Sequence, residues 1–231
     1  MAERAKAFIK STFPAGVLLY RRIRTVGHSL KTSTLGIEKV FSDIYRKNSW
    51  ADPESVSGRG STLAHTEVIR RELPNLLESV GANSILDAAC GDFNWMRHTD
   101  LRGVEYSGVD IVPELIARNR SMYAESERNF VVLDITGDEL TKADVILCRD
   151  CFIHLSFEHA RAAITNFKRS GSMFLLATTH TTVRENTDVV SGGWRSVNLQ
   201  LPPYDFPEPL RVIVEDPELG KTLGMWQLAD L

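Results

Sequence analysis

With 231 residues, 43% of them apolar and 25% charged, the chain is long enough for one α/β domain with a short appendage and too apolar to be disordered. A net charge of −3 speaks against a dedicated nucleic-acid binder, which carries a strong basic excess. Three cysteines, Cys90, Cys148 and Cys151, give no disulfide framework and fit a reducing, cytoplasmic setting.

The first 35 residues are basic, with seven Lys/Arg against the single acid Glu3. They also carry Phe8, Ile9, Phe13, Val17, Leu18 and Leu19. A patch for an anionic surface, a lid over an anionic substrate and a solvated helix at the domain edge all fit this pattern, and the last is the expected one. Pro14 breaks any single long helix there. The apolar run from Ala15 to Tyr20 is far short of the roughly 20 residues that cross a bilayer, and no small-residue cleavage pattern follows it. The expected division is a basic helical extension over residues 1–40 and one α/β domain over 41–231.

From Thr62 onward the periodicity is clear. Ile69, Leu73, Leu76, Leu77 and Val80 recur at helical spacing, and Gly81 stops the helix. Short apolar strands follow at Ser84–Ala89, Tyr106–Ile111, Phe130–Leu133, Ala143–Leu147 and Met173–Thr178. Pro113 sits at the first position of a helix whose face is Leu115, Ile116, Asn119 and Met122. Ser156 can cap a helix that buries Phe157, Ala160, Ile164 and Phe167 and ends at Gly171. Strands alternating with helices imply a parallel sheet covered on both faces. Residues 180–209, with Pro202, Pro203, Pro207 and Pro209, read as an irregular loop, and Leu210–Val214 and Gly224–Leu228 as a closing hairpin-like pair.

The chemistry concentrates at strand ends. Ile85-Leu86-Asp87-Ala88-Ala89-Cys90-Gly91-Asp92-Phe93-Asn94-Trp95 is an apolar strand that ends in an acid and runs into small residues. Ligands of doubly wound sheets bind at such carboxyl ends, where small residues let the backbone approach. Asp87 can orient the turn or take an ammonium group. Asp110 ends the second strand, 23 positions later, and is placed to bind the two hydroxyls of a ribose. Asp134 ends the third strand, where a carboxylate can accept from an exocyclic amine while Ile135 packs on the ring. The fourth strand ends in Cys148-Arg149-Asp150. Cys148 and Cys151 form a C-x-x-C, but a zinc site wants four ligands and no second pair exists, so no metal is expected.

These features together resemble the class I S-adenosylmethionine-dependent methyltransferases. Asp87-Ala88-Ala89-Cys90-Gly91 is similar to the first motif of that family, and Asp110, Asp134 and the stretch Asp144–Asp150 fall where its later motifs do. The resemblance covers roughly Ser57 to Leu231. It implies S-adenosylmethionine as cofactor and a Rossmann-like, mostly parallel seven-stranded sheet whose last strand is antiparallel. The usual motif has two or three glycines, whereas here Gly91 is followed by Asp92-Phe93. Upstream, Tyr45-Arg46-Lys47-Asn48-Ser49-Trp50 and Ser55-Val56-Ser57-Gly58-Arg59-Gly60-Ser61 resemble the lead-in of small bacterial methyltransferases, some acting on sugars. By that resemblance the cofactor is held by Trp50, Arg59, Gly60, Asp87, Ala89, Gly91, Asn94, Trp95, Asp110, Ile111, Asp134, Ile135 and Arg149.

Oxygen methylation needs a group that removes a proton, and histidine suits it. His154 follows the fourth strand just before the Ser156 helix and is the expected base. Asp150 is the expected partner that orients it or binds substrate, and His180 at the end of the fifth strand is the rival base. A loop as long as 181–209 tends to be functional. Its Trp194, Arg195, Asn198 and Tyr204, with His180, are the expected substrate contacts, and aromatic, Arg and Asn side chains suit a small sugar-type acceptor. The Asn/Asp-Pro-Pro-aromatic motif of enzymes that methylate exocyclic base amines is replaced by Arg149-Asp150-Cys151-Phe152, so no nucleic-acid partner is expected. Two other readings stay open. One is an NAD-type oxidoreductase, disfavoured because the first turn lacks the G-x-G-x-x-G phosphate cradle. The other is a non-catalytic cofactor-binding protein.

Overall fold

The computed structural model describes residues 36–231. The basic segment 1–35, and with it most of the expected N-terminal extension, lies outside the described residues.

Helix α1, Ile37–Arg46, opens the described chain and runs across the boundary expected at residue 40. Its Ile37 and Phe41 pack on the hydrophobic core, and Val40 and Ile44 are buried. Helix α2, Glu67–Ser79, follows and ends before Gly81, which takes the left-handed φ of +63° that closes a helix. Strand β1 is Ser84–Ala88, β2 Glu105–Asp110, β3 Arg128–Val132, β4 Val145–Cys148 and β5 Phe174–His180. Helix α3, Pro113–Tyr123, connects β2 to β3, with Pro113 at its start, and α4, Phe157–Arg169, connects β4 to β5. The Ser156 side chain accepts from the His159 amide and caps α4, a contact worth about 1 kcal/mol. Strands β6, Arg211–Asp216, and β7, Lys221–Gln227, form the closing antiparallel pair.

The seven strands lie in the order β3-β2-β1-β4-β5-β7-β6. β1 to β5 pair in parallel, and β7 runs antiparallel to both β5 and β6. Successive residues of a strand face opposite ways. Ile85, Val145, Leu147 and Leu176 therefore meet Ile69, Leu73 and Leu77 of α2 on one face. Leu86, Ile146, Leu175 and Ala177 meet Ala160, Ala163 and Phe167 of α4 on the other. Because both faces are covered, the strands read as continuous apolar runs rather than alternating ones.

Residues 181–209 contain no helix or strand. This segment nevertheless does the work of a crossover element, burying Val197, Leu199 and Phe206 in the α4-side core. The His180 amide donates to the Val197 carbonyl at 2.7 Å, and the Leu199 amide donates to Thr179 Oγ1 at 3.0 Å. The loop is thus held along its length and can present side chains from a fixed backbone.

Candidate functional site

A cavity of about 820 Å³ opens over the carboxyl ends of the parallel strands, where β1 and β4 part in opposite directions of connection. The acids at the first three strand ends reach it together: Asp87, Asp110 and Asp134 all line the cavity, with Ala89, Gly91, Ile111 and Ile135 between them. Asp110 Oδ2 accepts from the Gly91 amide at 3.1 Å and Oδ1 from the Val112 amide at 3.0 Å. These bonds fix the carboxylate at the turn, while burial pushes its pKa up. Asp134 Oδ1 accepts from the Thr136 amide and hydroxyl at 2.8 and 2.6 Å. Asp87 is fully buried and accepts from the Tyr106 hydroxyl at 2.7 Å. Burial raises its pKa to about 7, against the opposing pull of that hydrogen bond.

The residues that stand where glycines were expected have a different task. Asp92 accepts from Ser55 Oγ at 2.9 Å, the Val56 amide at 2.9 Å and Ser57 Oγ at 3.2 Å. Ser57 Oγ in turn accepts from the Asp92 amide at 2.9 Å. Asn94 Nδ2 donates to Glu54 Oε1 at 2.8 Å and to the Ser61 carbonyl at 3.1 Å. Asp92 and Asn94 therefore clamp the segment Glu54–Ser61 over the β1 turn. Gly91 is required here: its φ is +58°, and a Cβ would lie 2.2 Å from Ser57 Oγ. Through this clamp Trp50, Arg59 and Gly60 come to line the cavity, as do Trp95 and Arg149. Asn94 does not line it, and its amide is spent on the clamp. Helix α1 adds a wall of Ile37, Phe41, Ile44 and Tyr45.

On the far side of the β1/β4 parting lie Asp150, His154, His180 and Trp194. His154 Nδ1 is 2.8 Å from the Gly193 carbonyl and so carries the proton. Its Nε2 makes no hydrogen bond among the described residues, and the ring packs 4.9 Å from that of Trp50. Burial lowers the His154 pKa, with the Gly193 bond opposing it, which keeps the imidazole neutral at pH 7. The contact that orients His154 is thus a backbone carbonyl rather than the expected Asp150. Burial would raise the Asp150 carboxyl, but Arg149 and Lys221 outweigh it and hold it well below the usual range. His180 also has a pKa lowered by burial. Trp194 is 65% exposed at the rim.

Three loop residues expected at the acceptor face elsewhere. Arg195 is buried and donates to the Leu155 carbonyl and the Tyr204 hydroxyl. Tyr204 lies in a separate shallow groove with Ile164 and Phe206. Asn198 donates to the Val183 carbonyl and braces the loop. These side chains hold the 181–209 backbone in shape, which is why they carry polar groups without reaching the cavity. Among the cavity residues that the sequence did not signal are Glu215 and Lys221 of the β6–β7 hairpin. Among the described residues, no cluster of three His, Cys, Asp or Glu could hold a metal ion, and no helix is long and apolar enough to cross a membrane.

Residues 85–170 match the family model of a methyltransferase domain. Human N-acetylserotonin methyltransferase, solved in complex with SAM, superposes with a TM-score of 0.59 at 13% identity, over 86% of this chain and 61% of its own. The fold is that of a class I methyltransferase. The methyltransferase domain of bacterial CtHen1-CN superposes with a TM-score of 0.53 at 14% identity, over 72% of this chain and 100% of its own. The pyocyanin biosynthetic protein PhzM gives 0.54 at 12% identity, over 70% of this chain and 55% of its own. No curated protein matches the sequence. The methyltransferase domain model thus begins at β1 and ends just after α4, and it contains the turn, Asp110, Asp134 and His154.

Proposed function

We propose that the protein is an S-adenosylmethionine-dependent methyltransferase that methylates a hydroxyl of a small, sugar-type acceptor, with His154 as general base. The observation that carries the reading is the His154 tautomer: Nδ1–H is tied to the Gly193 carbonyl, and a neutral Nε2 is left to accept a proton at the cavity.

The cavity fits the cofactor. Its volume of about 820 Å³ exceeds what one nucleoside ligand fills. The wall beside Asp110 and Asp134 is apolar through Ile111, Leu115, Leu133 and Ile135, which suits a purine ring. Asp110 would hold the ribose hydroxyls, Asp134 the adenine amine, and Asp87 with the Arg59 turn the amino-acid end. When bound, the cofactor supplies an electrophilic methyl group on a sulfonium.

The chain's own residues do the remaining work. Trp50, the 54–61 clamp and α1 close over the cavity and exclude water, which strengthens every polar contact inside. His154 Nε2 takes the proton of the acceptor hydroxyl as the oxygen becomes nucleophilic, and His154 leaves as imidazolium within reach of the Asp150 charge. Trp194 at the rim offers an aromatic face to the C–H side of a sugar ring.

The test has two stages. Calorimetry with S-adenosylhomocysteine should show binding, weakened by at least about 1 kcal/mol in Asp110→Ala. Cell-extract fractions incubated with methyl-labelled cofactor should then yield a labelled acceptor. His154→Ala should slow its labelling by about two to four powers of ten without changing cofactor affinity. Equal turnover in the variant removes His154 as base, and the matching loss in His180→Ala would give the role to His180.

A further inference from the structure

The cavity contains four charged side chains, Arg149, Asp150, Glu215 and Lys221, of which the proton transfer uses only the charge of Asp150. Arg149 and Glu215 form the inner pair, with side chains only 3% and 2% exposed and Nη2 2.7 Å from Glu215 Oε1. Asp150 and Lys221 form the outer pair at 2.7 Å, 17% and 15% exposed. Arg149 also reaches Asp150 at 3.3 Å, and Lys221 lies 3.5 Å from Glu215 Oε2. All four line the cavity. Their formal charges sum to zero.

Three details set this cluster apart from packing alone. Burying four charges offers little stability over apolar residues of the same volume, so their presence asks for a purpose. The chain departs from regular pairing to assemble them: β6 and β7 lose register between Val214 and Asp216, so Glu215 is the extra residue of a bulge. Bulges re-aim a side chain, and here one turns Glu215 back over two intervening strands to Arg149. Finally, Glu215 Oε2 is buried with no hydrogen-bond partner among the described residues. An orphan carboxylate oxygen is costly, and the ammonium 3.5 Å away could satisfy it by a small shift. Lys221 is therefore poised between two carboxylates, engaged with Asp150 and waiting for Glu215.

The position is that of the acceptor. Lys221 pairs directly with His180 across the β5–β7 ladder, on the opposite side of the β1/β4 parting from Asp110 and Asp134. We infer that Asp150 and Lys221 are a hydroxyl-recognition pair, balanced by Arg149 and Glu215, which selects an uncharged polyhydroxy acceptor over an ionised one. A hydroxyl of the acceptor donates to Asp150, a neighbouring oxygen accepts from Lys221, and the ammonium shifts onto Glu215 Oε2. An acceptor carrying its own charge leaves the cluster with an unbalanced charge in a largely buried site. This inference rests on the methyltransferase reading for the term acceptor, but not for the binding chemistry.

Three probes of one ring shape test it: methyl glucoside, glucosamine and glucuronate, each titrated by protein-observed NMR with and without S-adenosylhomocysteine. The wild-type protein should bind the neutral glycoside tightest. Lys221→Met, which leaves the cluster at net −1, should weaken the glycoside about ten- to hundredfold, the loss of one hydrogen bond to a charged group, and move the preference to glucosamine. Glu215→Gln, at net +1, should move it to glucuronate. A merely structural role would weaken all three probes alike. Tightest wild-type binding of either ionised probe, no binding of any probe, or an unchanged rank order in both variants overturns the inference. If Glu215→Gln does not fold, Lys221→Met alone decides it. Failure of S-adenosylhomocysteine to bind sinks the methyltransferase reading and leaves the charge-reversal result to stand or fall separately.

Discussion

The clamp between Asp92 and residues 55–57 gives the sharpest stability prediction. Asp92 is 6% exposed, and replacing it with Ala deletes the acceptor for Ser55 Oγ, the Val56 amide, Ser57 Oγ and the Asn94 amide. The serine hydroxyls can rotate toward other partners, but the two amides cannot. A hydrogen bond to a charged group is worth about 1.5–3 kcal/mol, so two stranded amides and a weakened Ser55 contact amount to roughly 3–5 kcal/mol if the segment stays in place. Detachment of residues 54–61 limits the global loss, and the deficit then appears locally. Urea unfolding of Asp92→Ala should therefore show a loss of about 2–5 kcal/mol, with faster amide hydrogen exchange at Val56–Ser61. Because Val56, Ser57, Gly58, Arg59 and Gly60 line the cavity, S-adenosylhomocysteine affinity should fall by about tenfold or more. Asp92→Asn keeps one carbonyl acceptor and should lose about half as much. A folded Asp92→Ala protein with stability within about 0.5 kcal/mol of wild type and unchanged exchange over 56–61 would refute the clamp.

Asp87, with a folded pKa of about 7 against 3.8 unfolded, favours folding in its protonated form. That contribution is complete below about pH 4 and is lost as pH rises through 7, so Asp87→Asn should gain up to roughly 4 kcal/mol over wild type at neutral pH and nothing near pH 4, read by urea unfolding at both. The His154 pKa lies below its ordinary value of 6.5. Labelling of the acceptor should accordingly hold steady at neutral pH and decline on the acid side at a pH below 6.5; a decline centred above 6.5 would contradict a buried neutral base. Ser156→Ala should cost about 1 kcal/mol of stability with cofactor affinity unchanged, since the cap faces α4 alone. Removal of residues 1–35 should leave cofactor affinity unchanged, and salt-sensitive binding of anionic vesicles by the full chain would instead give that basic segment a membrane-surface role.

The sequence by itself determined the sheet, because its strands are short apolar runs punctuated by Gly, Pro and caps, and those local signals survive without tertiary information. The acids Asp87, Asp110 and Asp134 were legible for the same reason: each ends a strand, and strand ends of a parallel sheet share one edge. The position of His154 at the cavity was legible from its place between β4 and the Ser156 cap. Helix α1 was not read from the sequence. Ile37, Phe41 and Ile44 have helical spacing, and the helix they form spans residue 40, where the basic extension was expected to end. What only the tertiary structure decided is which polar residues meet at long range. Asp92 looked like a lost glycine until its carboxylate met a segment 35–37 residues away. Arg195, Asn198 and Tyr204 looked like substrate contacts because loop residues carry the same chemistry whether they bind a ligand or brace their own backbone. Glu215 and Lys221 meet Arg149 and Asp150 across 66 and 71 residues of chain. A bulge one residue long makes that meeting possible, and no local periodicity records where such a residue will point.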